Sequence, residues 1–246
     1  MTKQTISIYG DCMDVMKGLP DGSVDMVLCD LPYGSTRNAW DSPIDLETLW
    51  REYARIVKPN GAIVLFGSGR FTSELMQSNK RDWRYNLVWE KTTPTGFLNA
   101  KKMPLRAHED ILVFYRKLPT YNPQMYKGVR KVSTAAHKRN SRNGSSYGSY
   151  KRVDYDSDMR YPRSVLHFPT DKQKEALHPT QKSIALLEYL IRMYTNEGEL
   201  VLDNCMGSGS TGVACIKCNR RFIGIENDEA YYRAAVERIR RYTPNE

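Results

Sequence analysis

The sequence predicts an α/β protein, a doubly wound sheet with helices on both faces, a permuted order of motifs and a basic insertion. Three observations carry this. Short apolar runs alternate along the chain with segments whose apolar residues recur at helical spacing. A glycine-rich turn, GSGSTG at residues 207–212, sits late in the chain between such a run and such a segment. Between residues 117 and 163 the texture changes to eleven Lys or Arg, three Asp and frequent Tyr, Ser, Gly and Asn.

The elements follow in order. TISIYG is a short strand, and CMDVMKGLP a short helix closed by Gly18 and Pro20. VDMVLCD is a continuous apolar run, as expected of a strand covered on both faces. DLETLWREYARIVK places Leu46, Leu49, Tyr53, Ile56 and Val57 at helical spacing, with PNG after Lys58 as its stop. GAIVLFG is a buried strand, FTSELMQSN a helix, and RYNLVWEK and HEDILVFYR two more strands. SRNGSSYGSYKR, inside the basic stretch, has almost no aliphatics and cannot build a core of its own, so the stretch reads as an insertion. Regular structure returns with the amphipathic helix SIALLEYLIRMYT, the strand ELVLD, the glycine turn, the helix TGVACIKCN, the strand RFIGIEND and the helix EAYYRAAVERIRRY. No internal repeat is visible. Trp40, Trp89, His108 and Glu109 read as core or sheet-edge residues without chemistry.

The chain has 246 residues and a formal net charge of +9. That excess favours a polyanionic partner, because neutralising phosphates releases counterions. The mixture of basic and aromatic residues in the insertion suits phosphate contact and base stacking, although a solvated loop would share its polarity. The five cysteines are odd in number and irregularly spaced, and MTKQTISIYGDC has no apolar core of a leader peptide. A reducing, cytoplasmic setting without disulfides is therefore expected, and no apolar run has the length of a membrane span. Cys215 and Cys218 form a lone CxxC, which reads as a helix face rather than a zinc site, so no metal is expected.

The glycine turn follows a strand, opens a helix and precedes Glu226 by 19 residues counted from Gly207. That is the context of a nucleotide-binding turn, in which glycines admit a ligand close to the backbone and the acid holds ribose hydroxyls. Two ligands compete, a dinucleotide such as NAD and S-adenosylmethionine. Asp203, between strand and glycines, would repel a pyrophosphate but attract the sulfonium and ammonium of S-adenosylmethionine. The turn also comes too late for an ordinary dinucleotide domain. A tight connection without a ligand is the plain alternative.

CDLPYG, residues 29–34, ends the VDMVLC strand at the edge where open α/β sheets bind ligands. The Asp30 carboxylate and the Leu31 carbonyl can accept the two protons of an exocyclic amino group. Pro32 stiffens the turn, and Tyr33 offers a stacking face. Such a pocket suits a nucleobase flipped out of a duplex. Asp, Pro and Gly are also common turn residues, so the motif alone could be a simple strand end.

With both motifs in view, the chain resembles the β class of DNA amino-methyltransferases, which modify adenine N6 or cytosine N4. DLPY resembles the family's D-P-P-Y, LDNCMGSGSTG its D-P-F-x-G-S-G-T, HPTQKS its H-P-T-Q-K-P, and YGDCMDVMKGLPDGSVDMVLCD its opening G-D-C segment. The resemblance implies a Rossmann-like S-adenosylmethionine-dependent methyltransferase sheet. Residues 1–116 would form the catalytic half, 117–170 a target-recognition insertion and 171–246 the cofactor-binding half. It implies Asp30, Leu31, Pro32 and Tyr33 as catalytic residues. Asp203, Gly207 and Gly209 would surround the methionine part of the cofactor, and Glu226 would bind ribose. Asp11 would lie near the adenine of the cofactor, and Thr180, Gln181 and Lys182 at its methionine carboxylate. Leu31, Asn204, Cys205 and Ser183 depart from the family pattern.

The resemblance implies double-stranded DNA as partner and makes a homodimer plausible. Family members acting on cytosine N4 tend to carry Ser at the Asp30 position, so Asp favours adenine. Cytosine N4 methylation and an idle DNA-binding module are the alternatives, with an NAD oxidoreductase behind them. Carbon-5 methylation is excluded, because no Cys follows a Pro.

Overall fold

The computed structural model describes residues 5–34, 42–133, 156–170 and 181–243, so Trp40 and Thr180 lie outside the described residues. β1 (Thr5–Tyr9) leads to α1 (Cys12–Lys17), whose N-terminus Asp11 caps by accepting from Met13 N at 2.8 Å and Asp14 N at 3.2 Å. β2 (Val24–Cys29) is buried along its whole length. α2 (Leu46–Ile56) is capped by Asp45, which accepts from Thr48 N at 2.9 Å.

The helix hands over directly to β3 (Val57–Gly67). Val57, expected on the helix, has extended backbone (φ −81°, ψ 133°) and pairs with Val24. The next registered pair is Met26 with Ala62, so residues of the PNG segment bulge out of the ladder instead of ending the helix. Gly61 sits at this bulge, where a Cβ would come within 2.6 Å of Val57 Cγ1.

The chain continues through α3 (Arg70–Ser78), β4 (Trp83–Thr95), a short 3-10 turn at Phe97–Asn99, and β5 (Arg106–Phe114). β6 (Tyr126–Ser133) and β7 (Asp156–Arg160) come next, followed by β8 (Val165–Phe168). The C-terminal part is α4 (Ile184–Tyr194), β9 (Leu200–Asp203), α5 (Ser210–Lys217), β10 (Arg221–Glu226) and α6 (Glu229–Tyr242).

The chain divides into two compact units, Met1–Asn122 with Ser164–Glu246, and Pro123–Arg163. In the smaller unit β6 and β7 pair antiparallel, with Tyr126 opposite Arg160 and Lys127 opposite Met159. The larger unit holds an eight-stranded sheet in the order β1-β10-β9-β2-β3-β5-β4-β8. β8, which falls within the 117–170 segment expected to be an insertion, adds the last strand, and Leu166 enters the core.

Every neighbouring pair is parallel except the two that β5 makes with β3 and β4. One sheet edge therefore gathers the carboxyl ends of seven strands and the amino end of β5. Alternate residues of the central strands feed two apolar layers. Met26, Leu28, Val64 and Phe66 pack with Leu187 and Leu190 of α4, Val213 of α5 and Ile239 of α6. Val27, Cys29, Ile63 and Leu65 pack with Met16 of α1, Tyr53 of α2 and Leu75 of α3. Among the described residues no helix is long and apolar enough to cross a membrane, and no cluster could hold a metal ion. All five cysteines are free, and Cys215 and Cys218 are buried.

Candidate active site

The strand order reverses between β9 and β2, which are joined by the pairs Met26–Val201 and Val27–Leu202. Ligands of open α/β sheets bind at such a crevice. A cavity of about 690 Å³ opens there, within the range of small-molecule sites. Asp11, Asp30, Leu31, Pro32, Tyr33, Gln181, Lys182, Asp203, Gly207 and Glu226 all line it.

One wall is the glycine turn. Asp203 ends β9, with Oδ1 accepting from Cys205 N at 3.2 Å and Oδ2 from the Thr211 hydroxyl at 2.6 Å. Burial pushes its pKa up to about 6, against the help of those two donors. Glu226, at the end of β10, accepts from Gly207 N at 2.8 Å and from Asp228 N at 2.9 Å, and burial raises its pKa as well. Gly207 has φ +50°, and a Cβ there would meet no protein atom within 4 Å, so the backbone stands open to a ligand. Gly209 also has positive φ (+75°) but lies outside the cavity wall, packed near Ala235 and Ile239 of α6. Asp11 spends its carboxylate on the α1 cap while its residue borders the cavity. Beneath the turn, Tyr53 donates to Asn204 Oδ1 at 2.6 Å in a buried hydrogen bond, so the Asn in place of the family's Pro is anchored to α2.

The opposite wall is built around Asp30. Its Oδ1 accepts from the Tyr33 hydroxyl at 2.8 Å, and its Oδ2 faces Lys182 Nζ at 2.5 Å. The Tyr33 ring stacks on Phe71 of α3, with centroids 4.6 Å apart and planes 25° from parallel. Lys182 Nζ also lies 3.1 Å from Glu109 Oε2 and 4.9 Å from the Phe66 ring centroid. Lys91 pairs with Glu109 Oε1 and lies 5.3 Å from the centroid of the Trp89 ring. Two ammonium groups and two carboxylates thus alternate as Lys91, Glu109, Lys182 and Asp30, all largely buried. Burial raises the pKa of Asp30, with Lys182 opposing the shift and Glu109 adding to it. Burial also works to raise Glu109, but Lys182 and Lys91 outweigh it and hold the carboxyl below its usual value. For Lys182 burial works downward, and the two carboxylates hold the ammonium above its usual value. The cluster is a charged network in which every member has an opposite partner.

Glu109 and His108 border this cavity, although their sequence context suggests only core or sheet-edge roles, whereas Trp89 is a core residue as expected and also reaches the cavity wall. The reason is strand direction. β5 runs antiparallel to β3 and β4, so its amino end, rather than its carboxyl end, meets the site. HED at the start of an apolar run is the only signal, and it becomes readable once the run is known to be reversed. Lys182 arrives from the other side, because Ser183 is the N-cap of α4 and α4 packs under β2.

The residues present fit S-adenosylmethionine. Among the described residues on the glycine-turn wall, Asp11, Asp203 and Glu226 supply acids, and none is Lys or Arg. That donor set suits a ligand with cationic centres and a ribose, and it opposes a pyrophosphate.

A family model described as DNA methylase, covering N6 and N4 methylases, matches residues 24–237. The type II methyltransferase M.HpaI of Haemophilus parainfluenzae is 27% identical over 244 residues, spanning 94% of this chain and 73% of that protein. M2.MboI of Moraxella bovis is 26% identical over 267 residues, spanning 98% and 90%. Among solved structures, the complex of M1.HpyAVI with SAM gives a TM-score of 0.63 at 27% identity, covering 96% of this chain and 100% of that one. The cytosine-N4-specific PvuII DNA methyltransferase gives 0.67 at 15% identity, covering 99% and 92%, a likeness of fold.

Proposed function

The chain belongs to the DNA methylase family, and on that premise we propose that it transfers methyl groups to the exocyclic N6 of adenine in double-stranded DNA. S-adenosylmethionine is its cofactor. The observation that carries the adenine reading is Asp30 at the end of β2, where relatives acting on cytosine N4 tend to have Ser. Its carboxylate is held toward the cavity by Tyr33 and Lys182.

When bound, the cofactor supplies an electrophilic methyl group. Asp203, Gly207 and Glu226 hold it along the glycine turn, with Gln181 nearby. The Asp30 carboxylate and the Leu31 carbonyl accept the two amino hydrogens of a flipped base. That orientation directs the nitrogen lone pair away from the acceptors. Transfer would form the N–C bond as the methyl's bond to sulfur breaks, the donor leaving as a neutral thioether, and the amino proton released would have the buried Asp30 carboxylate, whose pKa burial raises, as its acceptor. Tyr33 steadies Asp30 and borders the base. No covalent enzyme intermediate is needed. Lys182 sits against Asp30 rather than alone at a cofactor carboxylate, so its assigned role is to keep Asp30 oriented. Residues 117–170 supply target recognition, with Lys127, Arg160 and the exposed Tyr126 and Tyr161 offering phosphate and stacking contacts.

The test is direct. Methylation-free DNA is incubated with the protein and cofactor, digested to nucleosides and examined by mass spectrometry. N6-methyldeoxyadenosine is expected. N4-methyldeoxycytidine in its place would overturn the adenine reading.

A further inference from the structure

The connection between β4 and β5 carries an apolar tip that nothing in the reaction just described uses. Phe97 is 81% exposed and Leu98 99% exposed, adjacent residues on one turn. The turn is built rather than loose. Asn99 N donates to Gly96 O at 2.9 Å, Ala100 N to Phe97 O at 3.0 Å, and both Lys102 N and Met103 N to Asn99 O, at 2.8 and 3.0 Å. Gly96 starts it with φ +92°. Met103, whose backbone closes the turn on Asn99, is 58% exposed as well. A single exposed leucine is ordinary, but a preformed turn presenting neighbouring large apolar side chains marks a contact surface.

Its position and charge name the partner. Thr95 at the end of β4 and Arg106 at the start of β5 both border the cavity that holds Asp30, so the turn rises from the rim of that cavity. Residues 92–108 contain Lys101, Lys102 and Arg106 and no acid, and all three cations are exposed. Cations beside an apolar tip fit a duplex, in which phosphates flank a stack of flat bases. A base must leave that stack to reach Asp30, and it leaves a gap behind.

We propose that Phe97 and Leu98 form a wedge that enters the duplex beside the target and fills the space of the extruded base, with Lys101, Lys102 and Arg106 seating the turn on the flanking phosphates. The proposal rests on DNA as the substrate and is indifferent to which base is methylated. A wedge acts where a base pair has to be opened, so its loss matters less when the target is already unpaired.

The experiment compares the full-length protein with its Phe97→Ala, Leu98→Ala and double variants on two duplexes carrying the mapped target site. In one the target base is paired, and in the other it faces an abasic position. Both side chains are exposed, and a thermal melt confirms the fold. For the double variant we expect kcat/KM to fall roughly 10- to 100-fold on the paired duplex and less than about threefold on the unpaired one, with cofactor affinity unchanged. Equal losses on both duplexes, or none on either, would overturn the wedge. So would an unchanged rate accompanied by a change in oligomeric state, which would assign the tip to a contact between copies. A wild-type protein with no methyl transfer would instead strike the reading of the previous section. The wedge would then be read by fluorescence anisotropy, as a larger loss of binding in the variants on the paired duplex than on the abasic one.

Discussion

Replacing Asp203 by Asn should move stability and cofactor affinity in opposite directions. The carboxyl is buried at the end of β9, and its pKa rises from 3.8 to about 6 because lost hydration outweighs the Thr211 and Cys205 donors. In the ligand-free protein the folded state therefore holds this proton more tightly than the unfolded chain does. The stability this contributes is complete below pH 3.8 and is lost as pH rises through about 6. Roughly two decades in proton affinity at ~1.4 kcal/mol each make the ionised carboxylate cost about 3 kcal/mol at neutral pH.

Asn removes that charge but turns an amide toward one of the two donors, which costs about 1 kcal/mol. The net gain of ~1–2 kcal/mol corresponds to a rise in Tm of roughly 2–8 °C for a chain of this size. Cofactor binding should weaken at least tenfold, about 1.4 kcal/mol, because an acidic partner of a cation is gone. The wild-type affinity should improve as pH rises through about 6 and Asp203 ionises, and this rise should be much smaller in the variant. Differential scanning fluorimetry without ligand and calorimetric titration of S-adenosylmethionine between pH 5 and about pH 7, below the titration of the ligand's own amino group, read both effects. A lower ligand-free Tm, or a Kd within twofold of wild type, would refute the assignment of a buried, ligand-facing carboxylate.

Further outcomes follow from the same geometry. Asp30→Ala should cut methyl transfer roughly 100- to 1,000-fold while leaving the cofactor Kd within a few-fold, as measured by tritiated methyl incorporation and calorimetry. Glu109→Gln takes the carboxylate from Lys91 and leaves Lys182 with Asp30 alone, and breaking a buried pair costs about 3–5 kcal/mol. Denaturant titration should show that loss, and kcat should fall more than the cofactor KM rises, because Lys182 reaches the reaction only through Asp30. Tyr53→Phe removes the buried donor to Asn204 and should destabilise the protein by about 1–3 kcal/mol. It should also weaken cofactor binding by loosening the turn, which a thermal melt with and without the cofactor would show.

Apart from β8, the helices and strands of the larger unit were legible because their signals are local. Leu46, Leu49, Tyr53 and Ile56 recur at helical spacing in α2, and VDMVLC and AIVLF are too continuously apolar for surface strands. The glycine turn and DLPYG stand out in the sequence because strand, turn and acid follow each other within a few residues, and residues of both border the same cavity. Val57 was misplaced because its apolar character suits the last turn of α2 as well as the first pair of β3, and the pairing with Val24 decides. Glu109 was missed for a reason no local pattern can supply. Its neighbours Lys91 and Lys182 lie 18 and 73 residues away in sequence, and only the reversal of β5 brings the three together. Beta-strand β8 was hidden in a polar stretch, since four residues with alternate burial give little periodicity.

The seam between β9 and β2 is short, and it lies between Asp30 and Asp203, which come from opposite ends of the chain. During synthesis, the first half emerges with β2 lacking its neighbour on that side, and that edge can be sealed only when residues near 200 have left the ribosome. The pocket therefore has no partial form: a polypeptide stopped before β9 has neither the floor for the donor nor a finished wall for the acceptor. Arranging the motifs in this order makes methylation a property of the finished molecule, and exposes an adhesive strand edge for most of the time it takes to make one.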